Sequence, residues 1–210
     1  MVKVLLIGSS GLVGRHVLSR TLDDPRFNKV IALTRRNLPG HPKLLNQVVD
    51  FEHLPPVADW WAVDGVISTI GTTSSKAGSR EAFRKIDHDY PLAVARMALE
   101  HGATRFALNS ALGADASSRV FYNRIKGDLE DDLTALGFPS LTLVRPGLIG
   151  GDRSEFRLAE QAGIMALRAL GGLLPRRFRV NPADKIAEVL VDAIGDGRPG
   201  RRIVSSDELV

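Results

Sequence analysis

Tyr122 and Lys126 stand in the order Tyr-x-x-x-Lys within a segment of helical period. Side chains four apart share a helix face, so a phenol and an ammonium can point into one cleft. The same spacing also arises as an ordinary exposed pair, so its meaning depends on what surrounds it. Twelve positions before Tyr122, Ser110 follows the apolar run Arg105–Asn109. A hydroxyl at a strand end can orient an oxygen-bearing ligand. Asn109 precedes Ser110 on the strand and should face the other way. Ser117 and Ser118 are further candidates, in a segment that reads as a loop.

A second chemical feature opens the chain. The apolar strand Val2–Ile7 runs directly into Gly8-Ser9-Ser10-Gly11-Leu12-Val13-Gly14, and an amphipathic helix (Val13, Val17, Leu18, Leu22) follows. Gly8 permits a tight turn, Gly11 lets a pyrophosphate approach the backbone, and Gly14 lets the helix pack close to the sheet. The phosphates would sit on the free N–H groups of Leu12 and Val13 at the helix N-terminus, with Ser9 and Ser10 beside them. A glycine triplet alone is a weak signal, but strand before and helix after is the context that supports dinucleotide binding.

The second apolar run ends Leu33-Thr34-Arg35-Arg36. No carboxylate is present there to hold a ribose 2′-hydroxyl. Two guanidiniums are, and Arg pairs bidentately with phosphate. With Arg15 assisting, the reading is NADP(H) over NAD(H). Asp50, followed by Phe51, ends the third run. It is either an acceptor for the adenine amino group or a residue that starts a turn.

The elements that must position these groups alternate. Apolar runs fall at Val2–Ile7, Val30–Thr34, Gln47–Asp50, Gly65–Ile70, Arg105–Asn109, Leu141–Arg145 and Arg202–Val204. Helical segments fall at Gly11–Leu22, Arg80–His101, Tyr122–Leu136, Phe156–Leu170 and Pro182–Ile194. Leu54–Trp61, with Pro55-Pro56, reads as a loop. Strand and helix in alternation predict a single doubly wound Rossmann-type α/β domain over residues 1–210, with six or seven mostly parallel strands and helices on both faces. Residues 148–210 would add substrate-side elements. Ser110 and the glycine loop then meet at the strand C-termini, where open parallel sheets bind ligands.

The chain has 210 residues, 28 Lys+Arg against 24 Asp+Glu, a net charge of +4 and no cysteine. Thiolate chemistry, disulfides and zinc fingers are excluded. The basic residues are dispersed, so nucleic acid is not an expected partner. His16, His41, His53, His88 and His101 lack metal-binding spacings, and no metal is expected. Apolar stretches fall short of the ~20 residues a membrane span needs, and no signal peptide is evident. A soluble cytoplasmic protein, monomer or homodimer, is the expectation. Asp23/Asp24, Asp87/Asp89 and Asp131/Asp132 read as caps or solvated faces. Trp60-Trp61 reads as a surface lid or partner contact, and Arg176–Arg179 as either a solvated loop or an anion patch beside the substrate.

The glycine loop, Ser110 and the Tyr122/Lys126 pair together resemble the short-chain dehydrogenase/reductase superfamily. Asn109–Ser118, Tyr122–Glu130, Ile70-Gly71-Thr72-Thr73 and Arg145-Pro146-Gly147-Leu148-Ile149 resemble its atypical Tat-interacting-protein oxidoreductase group. The resemblance implies Tyr122 as general acid in carbonyl reduction, Lys126 as support for its anion and holder of the nicotinamide ribose, and Ser110 as partner of the substrate oxygen. It also places Pro146 and Gly147 beside the nicotinamide, and Ile70, Gly71 and Thr72 near the cofactor. A free phenol ionises near pH ~10, so base work near neutrality needs about 4 kcal/mol of anion stabilisation. The implied activity is hydride transfer between NADP(H) and a small carbonyl or alcohol substrate. The alternative is an NADPH-binding sensor that acts through a protein partner. A nucleotide-sugar epimerase is disfavoured by the short segment after the sixth run. The substrate wall is expected at residues 148–180, including Phe156, Leu158, Ile164, Met165 and Arg168.

Overall fold

The computed structural model describes residues 1–150, 175, 176 and 179–210. Seven strands form one parallel sheet: β1 Val2–Ile7, β2 Phe27–Thr34, β3 Leu44–Val48, β4 Gly65–Ser68, β5 Arg105–Asn109, β6 Ser140–Arg145 and β9 Gly200–Ser205. Their order is β3-β2-β1-β4-β5-β6-β9, and each neighbouring pair is parallel. Chain order reverses between β1 and β4, which is the switch point where such sheets open a ligand crevice. A short parallel pair, β7 Ile149–Gly150 with β8 Asn181–Pro182, lies apart from the main sheet.

The helices are α1 Leu12–Asp23, α2 Ser74–Ala77, α3 Arg80–Arg84, α4 Tyr90–Glu100, α5 Phe121–Leu136 and α6 Ala183–Asp196. Strand alternation divides the core in two. Leu5, Ile7, Val66, Phe106, Leu108, Leu141 and Leu143 face Ala95 and Ala98 of α4 and Leu129 and Leu133 of α5. Val4, Leu6, Val30, Ile67, Ala107 and Val144 face Val13 and Val17 of α1 and Ile186, Leu190 and Ile194 of α6. Both faces are covered, which is why the strands read as continuous apolar runs.

β1 and β5 fall where the sequence places them. The third strand is shifted: Leu44–Val48 pairs with Val30–Thr34, because Asp50 starts a turn instead of ending a strand. The Asp50 carboxylate accepts from the Glu52 N–H at 2.9 Å. The expected helix Arg80–His101 is interrupted: Lys85–Asp89 forms a π-helical turn between α3 and α4. Trp61 is no surface lid. It is fully buried in a 3-10 turn, and its indole N–H donates to the Pro55 carbonyl at 2.8 Å. Phe156–Leu170, with most of the expected substrate wall, lies outside the described residues, as do Arg177 and Phe178.

Candidate functional site

The glycine loop leaves β1 with Gly8 at φ +86°, a left-handed conformation that suits glycine. A Cβ on Gly8 would collide with the Thr69–Ile70 backbone, and one on Gly14 with the Gly8 carbonyl. Gly11 differs. A Cβ there would meet only the Gly8 oxygen, at an ordinary 3.4 Å, so the protein's own packing does not demand glycine. No side chain caps α1 at Gly11, and its first turn holds no acidic residue. The buried Ser9 hydroxyl has no hydrogen-bond partner among the described residues. A free helix N-terminus, a bare Gly11 and an orphaned hydroxyl fit the pyrophosphate of a dinucleotide. Leu12 and Val13 are buried behind this rim, and Ser10 and Arg15 are exposed on it.

At the end of β2, the buried Thr34 hydroxyl donates to the Arg36 carbonyl at 2.7 Å, which shapes the turn that presents Arg35 and Arg36. Both arginines are exposed, and no ion pair joins either to another described residue. Asp50 is engaged locally: its carboxylate bonds the His53 ring at 2.8 Å, which lowers its pKa. Asp50 starts a turn, as one of its two readings has it. Phe51 is buried and stacks on Tyr90 at 5.5 Å, so it belongs to the core wall.

Lys126 is buried, and its ammonium pairs with Asp87 at 2.8 Å; their side chains are 4% and 1% exposed. The other Asp87 oxygen accepts from the Thr72 N–H at 2.8 Å. A Cβ on Gly71 would press to 3.3 Å on Asp87 Oδ1 and lie 3.8 Å from Lys126 Nζ. The segment Ile70-Gly71-Thr72 thus links the glycine loop to Lys126. Asp87, expected on a solvated face, sits instead on the π turn within the site. Such turns recur at functional sites because they push a side chain out of helical register.

Tyr122, one turn before Lys126, is 37% exposed. Its ring meets Phe83 edge-on at 5.8 Å, and Lys126 Nζ lies 6.0 Å from its centroid. Gly127 lets the backbone of Asp115 and Ala116 rest directly on α5; any Cβ would collide with it. That contact seats the loop between β5 and α5 on the helix that carries Tyr122. Ser117 donates to Asp115 at 2.7 Å and is exposed. The Asn109 side-chain oxygen is buried without a partner among the described residues.

Ser110 is buried, and its hydroxyl donates to Glu130. Glu130, one helical turn beyond Lys126, is 1% exposed at its side chain and pairs with Arg145 of β6. Arg145 Nε reaches Glu130 Oε1 at 3.0 Å and Oε2 at 3.1 Å. Hydrogen bonding to Glu130 raises the Arg145 pKa against an opposing effect of burial. Gly147 donates its N–H to Asn181 at 2.7 Å, and Pro146 accepts from the Leu112 N–H at 2.7 Å, so both residues close the β6 end of the crevice. Sequence reasoning missed Asp87, Glu130 and Arg145. The signal available was a carboxylate on a buried helix stripe: Asp87 follows Phe83 by four positions, and Glu130 adjoins Leu129.

Among the described residues, no group of His, Asp and Glu side chains could hold a metal ion. No helix among them is long and apolar enough to cross a membrane.

The sheet order, the glycine loop at its switch point and the covering helices define a Rossmann-type fold. Solved structures share it. MoeE5 in complex with UDP-glucose and NAD superposes with a TM-score of 0.73 at 16% identity, over 99% of this chain and 79% of that one. The Bordetella bronchiseptica enzyme WbmH in complex with NAD+ gives 0.70 at 17%, over 98% and 76%. At such identities the likeness is one of fold. No model of a known protein family matches the chain. Curated relatives do. The mitochondrial protein FMP52 of Eremothecium gossypii is 34% identical over 98% of this chain and 95% of its own, and the fmp52 protein of Emericella nidulans is 35% identical over 81% and 77%. The chain belongs to the FMP52 family. These relatives are named as mitochondrial proteins, which overturns the expectation of a cytoplasmic one.

Proposed function

We propose that this chain is an oxidoreductase that uses NADP(H) to move a hydride between nicotinamide and a carbonyl or alcohol carbon. The observation that carries the reading is a run of contacts from the glycine loop to Tyr122. Gly8 packs on Thr69 and Ile70, Gly71 covers the Asp87–Lys126 pair, and Tyr122 lies one turn away on the same helix. When bound, the nicotinamide supplies or accepts the hydride. The chain's own residues would hold and protonate. The N–H groups at the start of α1, with Ser9, hold the pyrophosphate, and Arg35 and Arg36 face a 2′-phosphate. Lys126 is fixed for the ribose, and Tyr122 exchanges the proton of the substrate oxygen.

The test has two parts. NADPH and NADH are titrated separately by calorimetry at one salt concentration. NADPH is expected to bind at least tenfold tighter, ~1.4 kcal/mol, and Arg35→Ala/Arg36→Ala to erase the difference. A screen of carbonyl compounds with NADPH then seeks turnover that Tyr122→Phe abolishes while cofactor affinity stays within a few-fold. Full activity in Tyr122→Phe sinks the assignment.

One observation favours a second reading, a cofactor-binding sensor with little turnover. The Lys126 charge is already met by Asp87, and the Ser110 proton is already given to Glu130. That reading predicts tight NADPH binding and no carbonyl compound that drives its oxidation.

A further inference from the structure

Serine has a single hydroxyl proton. In Ser110 that proton goes to Glu130. Glu130 has no means of returning one, since the Arg145 guanidinium grips both of its oxygens, and a carboxylate so held only accepts. Its side chain is 1% exposed, so water does not compete for the bond. Three chain segments, the ends of β5 and β6 and the middle of α5, hold this arrangement from different directions. Tyr122 differs. Its hydroxyl has no hydrogen-bond partner among the described residues, and the side chain is 37% exposed.

We propose that Glu130 is a positioning residue that fixes the direction of the Ser110 hydroxyl, so that Ser110 offers the site lone pairs only and selects a substrate group bearing a hydrogen, a hydroxyl in place of a carbonyl oxygen. The inference rests on the proposed oxidoreductase reading for the place of Ser110 beside the substrate. It alters the role that resemblance implies. A ketone oxygen facing Ser110 meets lone pair with lone pair, while the matching alcohol donates to Ser110. Tyr122 remains the group that can donate. The site therefore holds the alcohol of a redox couple more tightly than the ketone, by the worth of one buried hydrogen bond, about tenfold in affinity.

Glu130→Gln reverses the arrangement. The amide oxygen turns to Arg145, because two donors cannot face each other. The amide N–H then points at Ser110, and the hydroxyl proton is released toward the site. Ser110→Ala leaves the Glu130–Arg145 pair intact and serves if the glutamine variant fails to fold.

Neutron diffraction from deuterated crystals of the full chain reads the proton directly. The expected result places the Ser110 deuteron on the line to Glu130 in the wild type and off it in Glu130→Gln. A deuteron pointing into the crevice in the wild type, or one carried by Glu130, overturns the proposal. With an alcohol/ketone couple found by the screen above, the wild type should show the lower KM for the alcohol. The KM ratio should move about tenfold toward the ketone in Glu130→Gln and to near parity in Ser110→Ala. A wild-type preference for the ketone also overturns it. If no couple is turned over, the oxidoreductase reading falls, while the neutron result still decides the direction of the hydroxyl.

Discussion

Asp87 and Lys126 form an ion pair with both side chains almost wholly out of water, at 1% and 4% exposure. Removing one partner of such a pair strands the other and costs about 3–5 kcal/mol. Asp87→Asn belongs at the lower end. Its amide oxygen can still accept from either Lys126 or the Thr72 N–H, but its NH2 must then face the other donor. About 3 kcal/mol follows. Lys126→Met strands the carboxylate, which keeps only its bond from Thr72, and a similar cost is expected. The double variant carries neither charge into the interior, so it should cost about as much as one single change and not the sum of two. The coupling is then about 2–3 kcal/mol, within the range for directly paired residues. In a domain of this size a kcal/mol moves the melting point by about 2–4 °C. Each single variant should melt about 6–12 °C below the wild type. The assay is the urea midpoint of the four proteins at pH 7, with melting curves beside it. Additive losses, or single variants within 1 kcal/mol of the wild type, would refute the claim that the pair is buried and mutually dependent. The result bears on function as well. Well-packed apolar side chains in place of both residues are expected to be about neutral, so stability alone does not require a charged pair here, and its place beside Gly71 and Tyr122 is the better reason for it.

Two further outcomes follow from the same geometry. Gly127→Ala should displace the Ser110–Val120 loop, because its Cβ has no room against Asp115 and Ala116; a loss of about 2 kcal/mol or more in a urea melt is expected, and an unchanged midpoint would show that the loop does not rest on α5. Asp24 has a lowered pKa, chiefly through side-chain hydrogen bonds from Arg26, so its contribution is present above the unfolded value of about 3.8 and lost as pH falls through the lower folded value. Stability measured from pH 6 to pH 2 should fall less steeply below about pH 4 in Asp24→Asn than in the wild type, and equal slopes would contradict the assignment.

What the sequence made legible was local. The glycine loop is read from a few adjacent residues, and Tyr122 with Lys126 from one helical turn. The parallel sheet follows from runs that are apolar on both faces. Boundaries were lost where one residue had two local uses. Asp50 can end a strand or start a turn, and only pairing with β2 decides the matter in favour of Leu44–Val48. Trp61 could cover a surface or fill a core; its indole bond to Pro55 lies within the loop, yet its ring stacks on His101 and belongs to a core cluster shared with Ala98 and Phe106, far along the chain. The π turn at Lys85–Asp89 leaves the helical period on either side intact, so periodicity passes over it.

The site residues that escaped share a different cause. Asp87 and Glu130 both lie among residues that helical spacing assigns to the buried face, Phe83 before the one and Leu129 beside the other. A carboxylate there is too costly to stay unpaired, so its presence already requires a cation or a set of donors across the helix interface. Spacing shows that such a partner must exist but does not name it. Lys126 is 39 positions from Asp87, and Arg145 is 15 from Glu130, separations bridged only by the topology that brings the ends of β4, β5 and β6 together. Asp87, set aside as a cap or solvated face, and Glu130, given no role of its own, were therefore the strongest unread signal in the chain. Tyr122 and Lys126 single out one turn of α5, and the acids packed behind that turn hold Lys126 and Ser110 in place.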